Sequence, residues 1–294
     1  YEVSACLVGS EMCIRDSSTV DHVGRLVCRF AEKHAGKPMV VVHKPGGGGS
    51  RGFSTLAAAK PDGYTIGLVS TSAILQPYLM KGVTFSYKKS FRIIAEIAYT
   101  AEGIYVKKGG PFDMPFPEII KRAKEKPSTI KAGVGGTWTG SDVVRFILED
   151  ATGAKFIRVP HPAGGQDLVP GVLGGHLDFA IGEGAQWAPL YKAGKFNVLA
   201  VSTEKRDPRF PDIPTLKEMG YEATLVVTFW VGAPAGTPDS VINFLAEVFR
   251  KAVAEEGYKE ASDIAFNTAS YKGPADALKA IDQFDDFFQR LIKK

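Results

Sequence analysis

Apolar positions recur along the chain in two rhythms that alternate from one end to the other. From Thr19 onward, Val20, Val23, Leu26, Val27 and Phe30 repeat at three-to-four spacing, with Arg25, Arg29, Glu32 and Lys33 on the opposite face. This predicts an amphipathic helix, which Gly36 ends. Met39 to Val42 is a short β-rich run, closed by Lys44-Pro45 and the four glycines Gly46 to Gly49. A helix from Phe53 to Lys60, a Pro61-Asp62-Gly63 turn and a strand from Tyr64 to Val69 follow, the strand ending in Ser70-Thr71-Ser72.

Further strands are predicted over residues 91–98 and 104–106, and a proline-started helix over 117–124. Thr129 to Ala132 reads as the end of a buried strand. After the polar, glycine-rich stretch Gly133 to Gly140, Val143, Val144, Phe146, Ile147 and Leu148 return to helical spacing. Strands over 155–159, 177–181, 198–202 and 225–231 alternate with helices over 168–173, 189–195, 239–255 and 275–293. Such alternation calls for parallel sheet with right-handed crossovers. There are too many strands for one comfortable sheet, so two α/β domains are expected, with ligand turns converging between them.

Composition narrows the classes. At 294 residues, 45% hydrophobic and 23% charged, the chain is globular, and its net charge of +4 without a basic run argues against a nucleic-acid partner. Cys6, Cys13 and Cys28 show no metal spacing, and no window has the roughly 18 apolar residues that a membrane helix needs. No secretory signal is visible. Tyr1 to Ser17 fits poorly with the rest, because Glu11, Arg15 and Asp16 break any apolar pattern.

The chemistry on offer is that of a binder. Helix starts expose unpaired amides and the positive end of the macrodipole, so the turn before Val143 suits a carboxylate or phosphate, with Thr139 or Ser141 as N-cap; an ordinary strand-to-helix turn is the plain alternative. Ser70 and Thr71 at a strand end either contact a ligand or cap the next helix. Glu183, between two glycines, either accepts hydrogen bonds from a ligand or caps a helix. His161 and His176 read as surface histidines, and Trp138, Phe229 and Trp230 line a pocket or belong to the core. No nucleophile elbow, phosphate loop, zinc motif or cofactor motif is present in the sequence, so no cofactor or metal is expected, and a binder is favoured over an enzyme.

Several short motifs occur in an order that resembles one family. They are Pro45 to Gly49, Ala59 to Ile66, Gly153-Ala154-Lys155 through His161, Leu173 to Asp178, Ala193-Gly194-Lys195, Leu199 to Ser202, Asp212 to Thr215 and Ala233 to Pro238. From about Ser18 onward the chain is similar to the substrate-binding receptors of tripartite tricarboxylate transporters, the Bug family. The resemblance implies a two-domain periplasmic-binding-protein fold of the type II, Venus-flytrap kind. Domain 1 would hold residues 1–100 plus 225–294, and domain 2 residues 101–224. It implies a periplasmic, monomeric receptor for a small carboxylate (a dicarboxylate, an amino acid or an aromatic acid) with membrane transporter subunits as partners. The family's contacts fall here on Ser18 and Thr19, on Ser70 and Thr71, on Thr139, Gly140 and Ser141, and on Ala163, Gly164 and Gly165, with Glu183 beside the place of a family aspartate. The family also begins with an apolar first strand. Tyr1 to Ser17 stands in that place, so the first strand is expected to be badly filled and ligand affinity weakened. The rivals are a transferase-like α/β enzyme using Glu183 as base and a ligand-sensing partner of a signalling system.

Overall fold

The computed structural model describes residues 10–14, 18–44, 46–161, 165 and 167–293. In chain order the first elements are β1 (Ser10–Ile14), α1 (Ser18–Ala35), β2 (Met39–His43), α2 (Ser50–Ala57), β3 (Thr65–Ser70), α3 (Thr71–Leu79), α4 (Tyr87–Ser90) and β4 (Phe91–Lys107). Then come α5 (Phe116–Glu125), β5 (Lys131–Val134), α6 (Gly140–Thr152), β6 (Ile157–Pro160), α7 (Leu168–Leu173), β7 (Phe179–Glu183), α8 (Gly184–Lys192) and β8 (Phe196–Val201). The last are β9 (Val226–Pro234), α9 (Asp239–Ala254), α10 (Glu256–Ile264), β10 (Thr268–Lys272) and α11 (Pro274–Ile292). The chain divides into two compact units: unit 1 runs up to Tyr99 and resumes at Thr228, and unit 2 is Thr100–Val227.

In unit 1 the strand order is β2-β1-β3-β9-β4, with β10 on β4. β1 runs parallel to both β2 and β3, whereas β9 is antiparallel to β3 and β10 to β4. On one side Phe53 and Leu56 of α2, Ala73 and Ile74 of α3, and Ala277 and Ile281 of α11 pack with Val69, Phe91, Ile93 and Trp230 of the sheet. Burying each of these larger side chains contributes about 1.5–3 kcal/mol. Elsewhere in the unit, Phe30 of α1 meets Tyr258 of α10 edge to face at 5.8 Å, and the Tyr258 hydroxyl donates to Ile97 O. A buried polar knot holds α11: the fully buried Asp285 accepts from the Tyr87 hydroxyl at 3.0 Å and from Gln289 Nε2 at 3.0 Å.

In unit 2 the order is β4-β7-β5-β6, with β8 also on β4. β5 is parallel to β6 and β7, and β4 is antiparallel to β7 and β8. Phe179 is the hub of this core, meeting Phe156 at 5.1 Å and Phe116 at 6.5 Å, both edge to face.

Several expectations are corrected. The sheets are mixed rather than parallel, because β4 and β9 run against their neighbours instead of returning through a helix. β4 is one strand where two were expected, its seventeen residues being buried almost throughout. α2 begins at Ser50 rather than Phe53 because Gly49, at φ 102°, turns the chain straight into the helix. α8 begins at Gly184, five residues before Pro189, because Glu183 and Gln186 form a capping box there. α10 and β10 were not foreseen: α10 buries only Tyr258 and Ser262, too sparse a stripe to read. The place of the first strand is not left badly filled either. β1 pairs in register with β2 from Ser10↔Met39 to Ile14↔His43, since ladder bonds use main-chain groups that every residue but proline supplies.

Cys28 on α1 is 2% exposed, and its thiol is pushed up to about 12, chiefly by burial and further by Glu32. The thiolate is the reactive form, so at about pH 8 the folded chain is expected to resist iodoacetamide at Cys28 and to react there only once unfolded in urea, as read by peptide mass mapping. Alkylation of Cys28 in the folded chain would contradict this packing.

Candidate functional site

In unit 2, β5 delivers the chain into the turn Gly135 to Thr139, and α6 starts at Gly140. Thr139 occupies the N-cap position but makes no cap bond; its hydroxyl donates to Gly136 O at 3.2 Å and lies 3.1 Å from Ser141 Oγ. Ser141 Oγ in turn accepts the Gly135 N–H at 2.9 Å. The two hydroxyls therefore brace the turn and leave the first turn of α6 uncapped by side chains. Gly140 has no room for a side chain: a Cβ there would come within 2.1 Å of Val227 Cγ2 and 2.7 Å of Glu102 Oε1.

A buried carboxylate organises this turn. Asp142 is fully buried; its Oδ2 accepts the Trp138 N–H at 2.9 Å and lies 2.8 Å from Arg158 Nη2, while its Oδ1 accepts from Arg145 Nε at 2.9 Å. Arg145 also reaches Glu149 at 2.8 Å, so the charges close into a chain. The Arg158 guanidinium stands 5.8 Å over the Trp138 ring. Trp138 has φ 55°, a left-handed conformation that costs a non-glycine residue roughly 1–3 kcal/mol and that the Asp142 bond offsets. Sequence reading missed Asp142, Arg145 and Glu149, although they stand at helical i, i+3 and i+7 spacing and were legible as a pattern. Arg158 carried no such signal.

The other predicted turn of unit 2 is seen only in part. Ala163 and Gly164 lie outside the described residues. Gly165 has φ 95°, and a Cβ there would come within 2.3 Å of Gln186 Nε2. Gln186 Oε1 meanwhile accepts the Glu183 N–H at 3.2 Å, and the Glu183 side chain accepts from the Gln186 backbone. Gln186 thus lies against Gly165 while bonded to Glu183, and the Glu183 carboxylate works as a helix cap. His161 extends the β5–β6 pairing, its N–H donating to Val134 O at 2.9 Å.

In unit 1 the β1–α1 and β3–α3 junctions lie at the same end of neighbouring parallel strands. Ser18 is the first residue of α1 and Thr19 the second, the latter 2% exposed with its Oγ1 lacking any hydrogen-bond partner among the described residues. Ser70 is the N-cap of α3, extended and 2% exposed, and its Oγ likewise has no partner and makes no cap bond. Thr71 Oγ1 accepts the Thr228 N–H of β9 at 3.1 Å. Two buried hydroxyls at adjacent helix starts, each costing roughly 1–3 kcal/mol when unsatisfied, are what a ligand oxygen could complete. Phe229 and Trp230 are buried, Trp230 in the core described above, so neither lines a pocket.

The Asp142 bracket carries a direct expectation. Asp142→Ala leaves Arg145 and Arg158 without their shared carboxylate and is expected to lower stability by about 3 kcal/mol in urea unfolding. A loss below about 1 kcal/mol, the size of an exposed pair, would show that the bracket does not hold the turn.

With this geometry in view, the chain can be set beside known proteins. A family model described as "Tripartite tricarboxylate transporter family receptor" matches residues 23–284. A Cupriavidus necator relative, described as the UPF0065 protein in the gbd 5' region, is 30% identical over 236 residues, covering 80% of this chain and 71% of the relative. An R. palustris structure with adipate has a TM-score of 0.88 at 21% identity, covering 98% of this chain and 96% of its own. MatC from Rhodopseudomonas palustris with bound malate has a TM-score of 0.87 at 18% identity, covering 99% of this chain and 100% of its own. At these identities the likeness shows the fold, which is the two-domain α/β fold of periplasmic binding proteins. Since the matched span takes in nearly every element from α1 to α11, the protein belongs to the tripartite tricarboxylate transporter receptor family.

Proposed function

We propose that this receptor works in the periplasm as a monomer, and that it captures a small dicarboxylate and hands it unchanged to a membrane transporter. The observation that carries this reading is the pair of buried hydroxyls, Thr19 Oγ1 and Ser70 Oγ, at neighbouring helix starts of unit 1, neither of which has a hydrogen-bond partner among the described residues. A carboxylate oxygen accepts from both hydroxyls and gains from the positive ends of α1 and α3. The family pattern assigns Ser18 and Thr71 to the same site. In unit 2, Thr139, Gly140 and Ser141 at the start of α6 form a second set, to which Ala163, Gly164 and Gly165 are assigned by the family pattern. Glu183 shapes this second set through its cap on α8.

Two further points favour a dicarboxylate, and a third favours a binder over an enzyme. Adipate and malate, the ligands of the two similar structures, each carry two carboxylates. The burial of Phe229 and Trp230 takes two of the three candidate aromatic residues out of reach of an aromatic acid, leaving Trp138. The transferase reading needs Glu183 as a base, and its engagement as a helix cap weighs against that.

The test is a melting series with malate, adipate, an amino acid and benzoate. By mass action a ligand at about 100-fold its Kd stabilises by about 2.7 kcal/mol, which for a chain of this size raises Tm by roughly 5 °C. Malate or adipate is expected to give such a shift and to be recovered unchanged by mass spectrometry, and Ser70→Ala to weaken the affinity about tenfold, the worth of one hydrogen bond. Consumption of the ligand, or no shift with any of the four, would overturn the reading.

A further inference from the structure

Gln76 of α3 is a fully buried glutamine whose role the ligand groups do not explain. Its Nε2 donates to Gly48 O at 2.8 Å and Gly47 O at 3.3 Å, while its Oε1 is buried without a partner among the described residues. Both of the bonds that this side chain donates go to one loop. What it holds is a loop that holds itself poorly. Gly46 to Gly49 have φ of 119°, 57°, 64° and 102°, a run of four positive φ values that glycine adopts without strain, closed by the bonds Gly49 N–H to Gly46 O and Ser50 N–H to Gly47 O.

That loop starts α2, and α2 rests directly on β3: a Cβ at Gly67 would meet Leu56 Cδ2 at 2.7 Å. β3 ends in Ser70 and Thr71, which begin α3, and α3 carries Gln76 back to the loop. The ring β3, α3, glycine loop, α2 and β3 again is closed at one point by the Gln76 carboxamide. Thr71 fixes the first turn of α3 to β9, and Gln76 fixes the turns after it.

We propose that Gln76 is a positioning residue: by clamping the glycine loop to α3 it sets where the Ser70 and Thr71 hydroxyls stand, without touching the ligand itself. This rests on the receptor reading above. Gln76→Met keeps the volume and removes both donors. It is expected to speed amide exchange at residues 47–50, to weaken malate binding about tenfold by calorimetric titration, and to leave the ligand-free Tm close to that of the parent chain. Gln76→Leu, which also removes both donors and buries no charge, is expected to act the same way and carries the test if the methionine variant does not fold. A purely structural role predicts instead that Tm and affinity fall together, and that result overturns the proposal. Faster exchange with unchanged malate affinity overturns it too, since the loop would then be held without setting the ligand groups. A parent chain that binds neither malate nor adipate sinks the ligand assignment first and this proposal with it, whereas a parent that binds and variants that bind equally well sink this proposal alone.

Discussion

The first turn of an α-helix carries amide groups that its own backbone cannot satisfy, and this protein gathers such turns at the carboxyl ends of its parallel strands. β1 feeds α1, β3 feeds α3 and β5 feeds α6, each through a junction with a hydroxyl residue at the cap or next to it. In the two junctions whose cap geometry is seen, at Ser70 and Thr139, the side chain makes no cap bond. Serine and threonine at such positions ordinarily accept an amide of the first turn. Here Thr139 turns back to Gly136 and Ser141 to Gly135, so the hydroxyls hold the turn's shape and the amides stay uncommitted to them.

Keeping those amides uncommitted requires rigidity from elsewhere, and each unit supplies it differently. Unit 2 uses charge: Asp142 is clasped by Arg145 and Arg158 and draws the Trp138 amide into a strained turn. Unit 1 uses a neutral amide, Gln76, against the carbonyls of a glycine run. In both cases the buried polar group acts on backbone rather than on solvent, and low local dielectric makes such bonds strong when they are satisfied.

Much of this was legible in the sequence, and what was not has physical causes. Long stripes such as Val20, Val23 and Val27 on α1 were plain because one face is buried along the whole helix. The junctions at Ser70 and Thr139 were visible because hydroxyl and glycine residues punctuate a strand-to-helix change. The mixed sheet was not visible, since strand direction is decided by partners distant in sequence, as when β9 pairs with β3 in Gly67↔Gly232. The start of α8 was misplaced because Pro189 looked like a helix opening, while the deciding signal was the weaker Glu183–Gln186 box. Arg158 and Gln76 gave no local sign at all: their roles exist only because folding brings β6 beside α6, and α3 beside the glycine loop.

The three tryptophans occupy unlike surroundings. Trp187 and Trp230 are buried at 2% and 3% exposure, while Trp138 is half-buried beneath the Arg158 guanidinium at the mouth of α6. Indole emission shifts with the polarity and fields around the ring, and Trp138 stands at the anion-favouring end of a helix. The protein therefore carries a built-in optical probe in unit 2, readable without any label.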